Sequence, residues 1–191
     1  MMDLSPAAGA MAALLRTLSD DDLDRRTPCG GTVAALLTHV GGLTVAFTDA
    51  ARKDLGPTTS TPPGGEMPDE LPPTWRTEFP ARLDDLARAW TDPAAWEGAT
   101  RAGGIDLPAP VAATVAVDEL VLHAWDLAVA TGRAHVPDDE SLAAVEEFVL
   151  GIPADPAARQ GLFGPPVPVG DDATRFEKVL AHAGRDPRWR A

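Results

Sequence analysis

The stretch Val111–Ala130 constrains this chain more than any other. It is apolar on most faces, yet Asp118, Glu119, His123 and Asp126 stand inside it. Four ionisable groups in the middle of a bilayer span are very costly, so the segment does not read as a membrane crossing. It reads instead as a helix at the centre of a protein, whose polar groups need partners. Helical positions advance by about 100° per residue, so Glu119 and His123 share a face with Cβ atoms roughly 6 Å apart. Asp126 falls on the same face, which makes a polar seam in an otherwise apolar helix.

The rest of the sequence predicts helices to pack around this one. Ser5–Leu18 carries Ala8, Met11, Leu14, Leu15 and Leu18 at helical spacing, with Ser5 as its cap. The charged stretch Ser19–Arg26 predicts a turn or short helix, and Thr27-Pro28-Cys29-Gly30-Gly31 then breaks the chain. Thr32 caps a second helix running to about Leu55, with Val33, Leu36, Leu37, Val40, Leu43 and Phe47 on its buried stripe. Gly56–Pro73, dense in Pro, Gly and Thr, predicts a long surface loop.

Trp75, Phe79, Leu83, Leu86 and Trp90 mark a third helix, and Gly103-Gly104 marks a small hairpin within Trp96–Leu107. Gly132 closes the central, fourth helix. Asp138 and Asp139 open a fifth helix through Leu150, and a last helix spans Asp171–His182 after the Pro-rich stretch Gly161–Pro168. The alternation of strands and helices that builds a parallel sheet is missing. The expected fold is therefore all-α: a four-helix bundle with a small hairpin and a C-terminal helical extension. One domain is expected over residues 1–191, with residues 160–191 packed on it as a tail.

Composition narrows the function. A formal charge of -13 would repel nucleic acid or an anionic membrane, so neither is an expected partner. A single cysteine excludes an internal disulfide and any zinc site built from several thiolates of one chain. Met1–Ser19 is mixed and Ala-rich, with Asp3 and Arg16, and does not read as a signal peptide. The expected location is the cytoplasm.

The polar seam suggests a metal. Carboxylate and imidazole form a normal zinc ligand pair, and a divalent cation would offset the cost of burying them. His39 lies between Leu36 and Leu43 on the edge of the second helix's apolar stripe. If the second and fourth helices pack side by side, His39, Glu119 and His123 converge. Three protein ligands leave a position open, which suits catalysis rather than structure. Spacing alone does not choose between this site and a surface pair or an internally satisfied core contact.

Other residues carry plainer expectations. Asp126 is expected to orient a ligand, or to accept from backbone, rather than to be a fourth ligand. Cys29 lies ten residues before His39, roughly 15 Å along a helix, so it is expected to be a small buried apolar group and not a ligand. His135 and His182 are expected at the surface, and Trp125 in the core. Arg185 is expected to bind a carbonyl or pair at the surface, with an anionic substrate as the alternative.

The order Thr27-Pro28-Cys29, then Thr32-Val33-Ala34-Ala35-Leu36-Leu37-Thr38-His39-Val40, resembles the first metal-ligand helix of the DinB-like, mycothiol-dependent maleylpyruvate isomerase family. Asp118-Glu119-Leu120-Val121-Leu122-His123-Ala124-Trp125-Asp126 resembles that family's second ligand helix. Phe163-Gly164-Pro165-Pro166-Val167 and Gly184-Arg185-Asp186-Pro187-Arg188-Trp189 resemble the tail of a short actinobacterial branch. The resemblance implies a DinB/YfiT-like bundle holding a divalent metal on His39, Glu119 and His123. Zinc is expected, with nickel the alternative, and mycothiol is the expected co-substrate. The activity implied is thiol-dependent transfer or isomerisation of a small electrophile, by a monomer or homodimer. A non-catalytic metal- or ligand-binding bundle is the other expectation. The sequence departs from the family where Gly31, rather than tryptophan, precedes Thr32-Val33, and no stretch of these 191 residues is expected to form the full isomerase's separate C-terminal domain.

Overall fold

In a computed structural model the structure describes residues 1–62 and 71–191. Eight α-helices and two strands occur among them: α1 (Ser5–Thr17), α2 (Val33–Arg52), α3 (Pro57–Ser60), α4 (Trp75–Ala89), β1 (Ala99–Ala102), β2 (Ile105–Pro108), α5 (Ala109–Ala130), α6 (Asp139–Gly151), α7 (Pro156–Arg159) and α8 (Arg175–His182), with short 3-10 turns at Asp20–Asp22 and Pro93–Trp96. The fold is all-α with one antiparallel hairpin, in register from Ala99 opposite Pro108 to Ala102 opposite Ile105.

Four helices close a ring. α1 packs on α4, α4 on α2, α2 on α5, and α5 back on α1. Each turns an apolar stripe inward: Met11 and Leu15 from α1, Val33 and Leu37 from α2, Leu83 and Leu86 from α4, Val117 and Leu127 from α5 are all essentially inaccessible. α5 also carries α6 on its outer side, and α6 carries α8. Covered on several sides, α5 buries sixteen of its residues, including Asp118, His123 and Asp126. That is why its sequence is apolar nearly all round. α2 is long and apolar enough to cross a membrane by composition, but more than half of that stretch is buried in the bundle. The α2–α4 contact is close because Gly41 lacks a side chain: a Cβ there would lie 2.5 Å from Cζ of Phe79.

Several ends differ from expectation. α1 is capped not by Ser5 but by Asp3, whose carboxylate accepts from Ser5 N–H at 2.9 Å. α2 stops at Arg52, where Lys53 turns left-handed at φ 58°. Of the expected Gly56–Pro73 loop, residues 63–70 lie outside the described residues, and Pro57–Ser60 forms a single helical turn. The last helix begins at Arg175 rather than Asp171, because Thr174 and Glu177 cap each other reciprocally. α7 has no apolar periodicity to announce it and rests on the cap Asp155. Neither outlying histidine lies open at the surface: His182 Nε2 meets the Ile152 carbonyl at 2.8 Å, and His135 packs edge-on to Phe176 with Nε2 buried.

Candidate metal centre

Two packed helices bring the seam together. Thr32 fixes the start of α2 by accepting from Ala35 N–H at 3.2 Å, which sets the rotation that aims His39 at α5. On α5, Glu119 and His123 stand one turn apart. Glu119 Oε2 lies 3.0 Å from His123 Nε2 and 3.6 Å from His39 Nε2. The two imidazoles meet edge to face, 5.0 Å between centroids. One donor atom from each of the three residues falls within 4.8 Å of the others.

These spacings fit a metal. Four-coordinate zinc with bonds of about 2.0–2.1 Å separates its ligand atoms by about 3.3 Å, and the two observed carboxylate–imidazole distances straddle that value. Two nitrogens and one carboxylate oxygen are also a donor set that zinc and nickel accept.

Behind His123 runs a buried chain of hydrogen bonds. His123 Nδ1 faces Asp126 Oδ2 at 3.0 Å, and Asp126 is wholly inaccessible. Arg185 donates to the same carboxylate through Nη2 at 3.0 Å and Nε at 3.4 Å, and through Nη1 to the Ala183 carbonyl at 3.2 Å. Asp126 is placed to hold a proton on Nδ1, so a metal that displaces the proton between Nε2 and Glu119 would find the Nε2 lone pair aimed at it.

Electrostatics follow from this arrangement. Burial opposes charge on Glu119, but hydrogen bonds with His123 and His39 outweigh it and hold the carboxyl below the usual glutamate range. Burial likewise opposes a charged His123, yet the bonds to Asp126, Cys29 and Glu119 raise it well above an ordinary histidine. Asp126 resists its burial through His123 and Arg185 and stays below the usual aspartate range. Asp118 goes the other way, pushed well up by burial and by neighbouring Glu119.

His39, Glu119 and His123 open onto a cavity of about 350 Å³. Asp118 and Leu122 of α5 line it too, with Pro28 and Cys29 from the turn before α2, and the wall is completed by Gly161–Gly164 and Ala183–Arg185. That wall depends on a close backbone approach. Gly184 has φ 81°, and a Cβ on it would lie 2.9 Å from the backbone of Gly164.

The single cysteine is neither buried nor remote, as was expected of it. It is exposed, and its Sγ lies within 4.8 Å of ligand atoms of His123 and Asp126. The 15 Å expectation assumed a helix continuing backwards from His39. Instead Gly30 and Gly31 take φ 97° and 71°, and Arg26 bridges Thr32, so the turn doubles back over the site. Arg185 also differs: it is neither carbonyl-bound alone nor at the surface, but clamps Asp126 with its side chain only 11% exposed.

A family model described as the mycothiol maleylpyruvate isomerase N-terminal domain matches residues 4–128. The chain belongs to that family. No curated protein and no solved structure matches it. The part matched to the mycothiol maleylpyruvate isomerase N-terminal domain contains His39, Glu119, His123 and Asp126, and also Cys29 and Asp118. The wall at 161–164 and 183–185 lies beyond it. Sequence reasoning missed Asp118 as part of the site. Its one available signal was a second carboxylate directly before Glu119 in an apolar helix.

Proposed function

We propose that this protein holds a divalent metal, zinc in the first place and nickel as the alternative, on His39, Glu119 and His123. We propose further that it uses the metal to react a small thiol such as mycothiol with a small electrophile, by transfer or isomerisation. The observation that carries this is the convergence of three donor atoms, one each from His39, Glu119 and His123, in the lining of a partly open cavity. A purely structural metal would be closed off by a fourth protein ligand. The mycothiol-linked family supports the choice of thiol.

A metal bound there would lower the pKa of a thiol at its open position and favour the thiolate. The chain's own residues do the rest. Asp126 fixes the ring of His123 and its tautomer through Nδ1, and Arg185 fixes Asp126. Leu122, Leu162 and Phe163 give the cavity apolar surface that excludes water around the reacting sulfur. Cys29 stands beside the cavity, where it borders the path of an entering thiol. On this reading residues 1–191 act as one cytoplasmic domain, monomeric or homodimeric, whose partners are small molecules rather than nucleic acid or membrane.

Metal analysis of the purified protein tests the first half. One equivalent per chain is expected, and a Glu119→Ala variant that keeps full occupancy would overturn the ligand assignment. Cobalt-substituted protein tests the second half: an added thiol should produce a sulfur-to-cobalt charge-transfer band. If metal binds and no thiol brings up that band, a non-catalytic metal-binding bundle is the reading left standing.

A further inference from the structure

Asp118 is the one group of the cavity for which the metal centre has no use. It is 4% exposed, it lines the cavity, and its Oδ1 is buried with no hydrogen-bond partner. No described residue hydrogen-bonds to it. Asp126, just over two turns further along the same helix and also buried, shows what a structural carboxylate looks like here: both of its oxygens are engaged, by His123 and Arg185. Arg185 lines the same cavity but gives its donors to Asp126 and Ala183 rather than to Asp118. A buried carboxyl without a partner is costly to keep, and an apolar residue of the same size would serve packing better. Among the described residues nothing supplies that partner, which leaves whatever fills the cavity to supply it.

The position of Asp118 defines that partner. Asp118 is about a quarter-turn round α5 from Glu119, and both line the same cavity, with Leu122 and His123 one turn further along the helix. A ligand whose sulfur sits at the open position over Glu119 and His123 shares the cavity with the Asp118 carboxyl and can turn its next atoms towards it. In either protonation state one carboxyl oxygen accepts a hydrogen bond.

We propose that Asp118 is a recognition residue that accepts a hydrogen bond from an N–H or O–H group carried two or three atoms from the sulfur of the bound thiol. The site thereby selects thiols bearing such a donor, amide N–H foremost, over thiols that lack one. This rests on the thiol-binding reading above and adds the feature of the thiol that is recognised.

Two probes differ by that one donor: N-acetylcysteamine, an amide, and 2-mercaptoethyl acetate, its ester. Calorimetric titration of the metal-loaded protein should give the amide at least roughly tenfold higher affinity, the discrimination expected when a buried acceptor is left unpaired. Asp118→Leu should bind both thiols alike. Asp118→Asn keeps an acceptor oxygen and should keep a reduced preference. Asp118→Leu should also unfold at no lower temperature than the wild type, because no internal bond is lost. Equal affinities in the wild type, an undiminished preference in Asp118→Leu, or a large fall in its unfolding temperature would each overturn the proposal. The cobalt band separates this proposal from the one beneath it. A preference seen by calorimetry without any band leaves Asp118 in its role and sinks the metal–thiol contact. A band that responds equally to both probes does the reverse, and binding of neither probe overturns both.

Discussion

Breaking the Arg185–Asp126 pair should be among the most damaging single changes to this fold. The two side chains are 11% and 0% exposed and meet at 3.0 Å. At an effective dielectric of about 20, unit charges at that separation attract by about 5–6 kcal/mol. Desolvation offsets part of this, and removing one partner of a buried pair generally costs about 3–5 kcal/mol, because the other charge is stranded. Arg185→Met keeps the stem and removes the charge, leaving Asp126 with His123 alone. In a chain of this size, each kcal/mol moves the thermal midpoint by about 2–4 °C, so a fall of about 6–20 °C is expected. The measurement is urea and thermal unfolding of metal-free protein, so that metal linkage does not mask the change. Asp126→Asn should also be destabilising, and the double variant should cost less than the two singles summed, by about 2–3 kcal/mol. The same Arg185→Met variant should weaken metal binding by about 10–100-fold, through the loosened His123. A loss of under about 1 kcal/mol, or strict additivity in the double variant, would refute the buried clamp.

Two further perturbations probe other parts of the fold. Gly41→Ala gains up to about 1 kcal/mol in helix propensity, but its methyl would lie 2.5 Å from the Phe79 ring, which is itself 2% exposed and hemmed in. Overpacking of that kind costs about 1–3 kcal/mol, so the unfolding midpoint should fall; an unchanged or higher midpoint would mean that α2 and α4 do not pack this closely. Asp22 is held below the usual aspartate range by the Ser19 backbone N–H, by the Ser19 hydroxyl and by Arg133. A depressed pKa stabilises fully above the unfolded value of about 3.9, and the contribution is lost as pH falls through the lower folded value. The stability advantage of wild type over Asp22→Asn should thus be whole at neutral pH and shrink below about pH 4. A difference that stays constant from neutral to strongly acid pH would show that Asp22 is not held this way.

Much of the scaffold was legible because it is written in local periodicity. The stripe from Val33 to Phe47, the Thr32 cap and the i,i+4 pair Glu119–His123 each fix a helix, its start or its inward face without reference to distant residues. His39 needed one further inference, that α2 and α5 are neighbours, and the structure brings it to Glu119. What stayed hidden depends on chain reversal. Cys29 was misplaced because consecutive left-handed glycines fold the turn back, and distance along a helix says nothing about such a turn. Arg185 and Asp126 are 59 residues apart, so no spacing rule connects them. Asp118 escaped for another reason: the sequence shows a carboxylate, and only the surroundings show that no described residue answers it.

The meeting of Gly164 with Gly184 divides the labour of the molecule between two stretches of its chain. The proposed metal ligands and Asp126 are encoded up to residue 126, inside the part matched by the family, whereas the wall at 161–164 and 183–185 is encoded after it. Drift in the later stretch can reshape what is admitted while leaving the donor atoms alone, provided that arginine 185 keeps its grip. Donor atoms held constant and a cavity wall free to vary make a ready starting point for new specificities, whether selected in nature or built by grafting one tail for another.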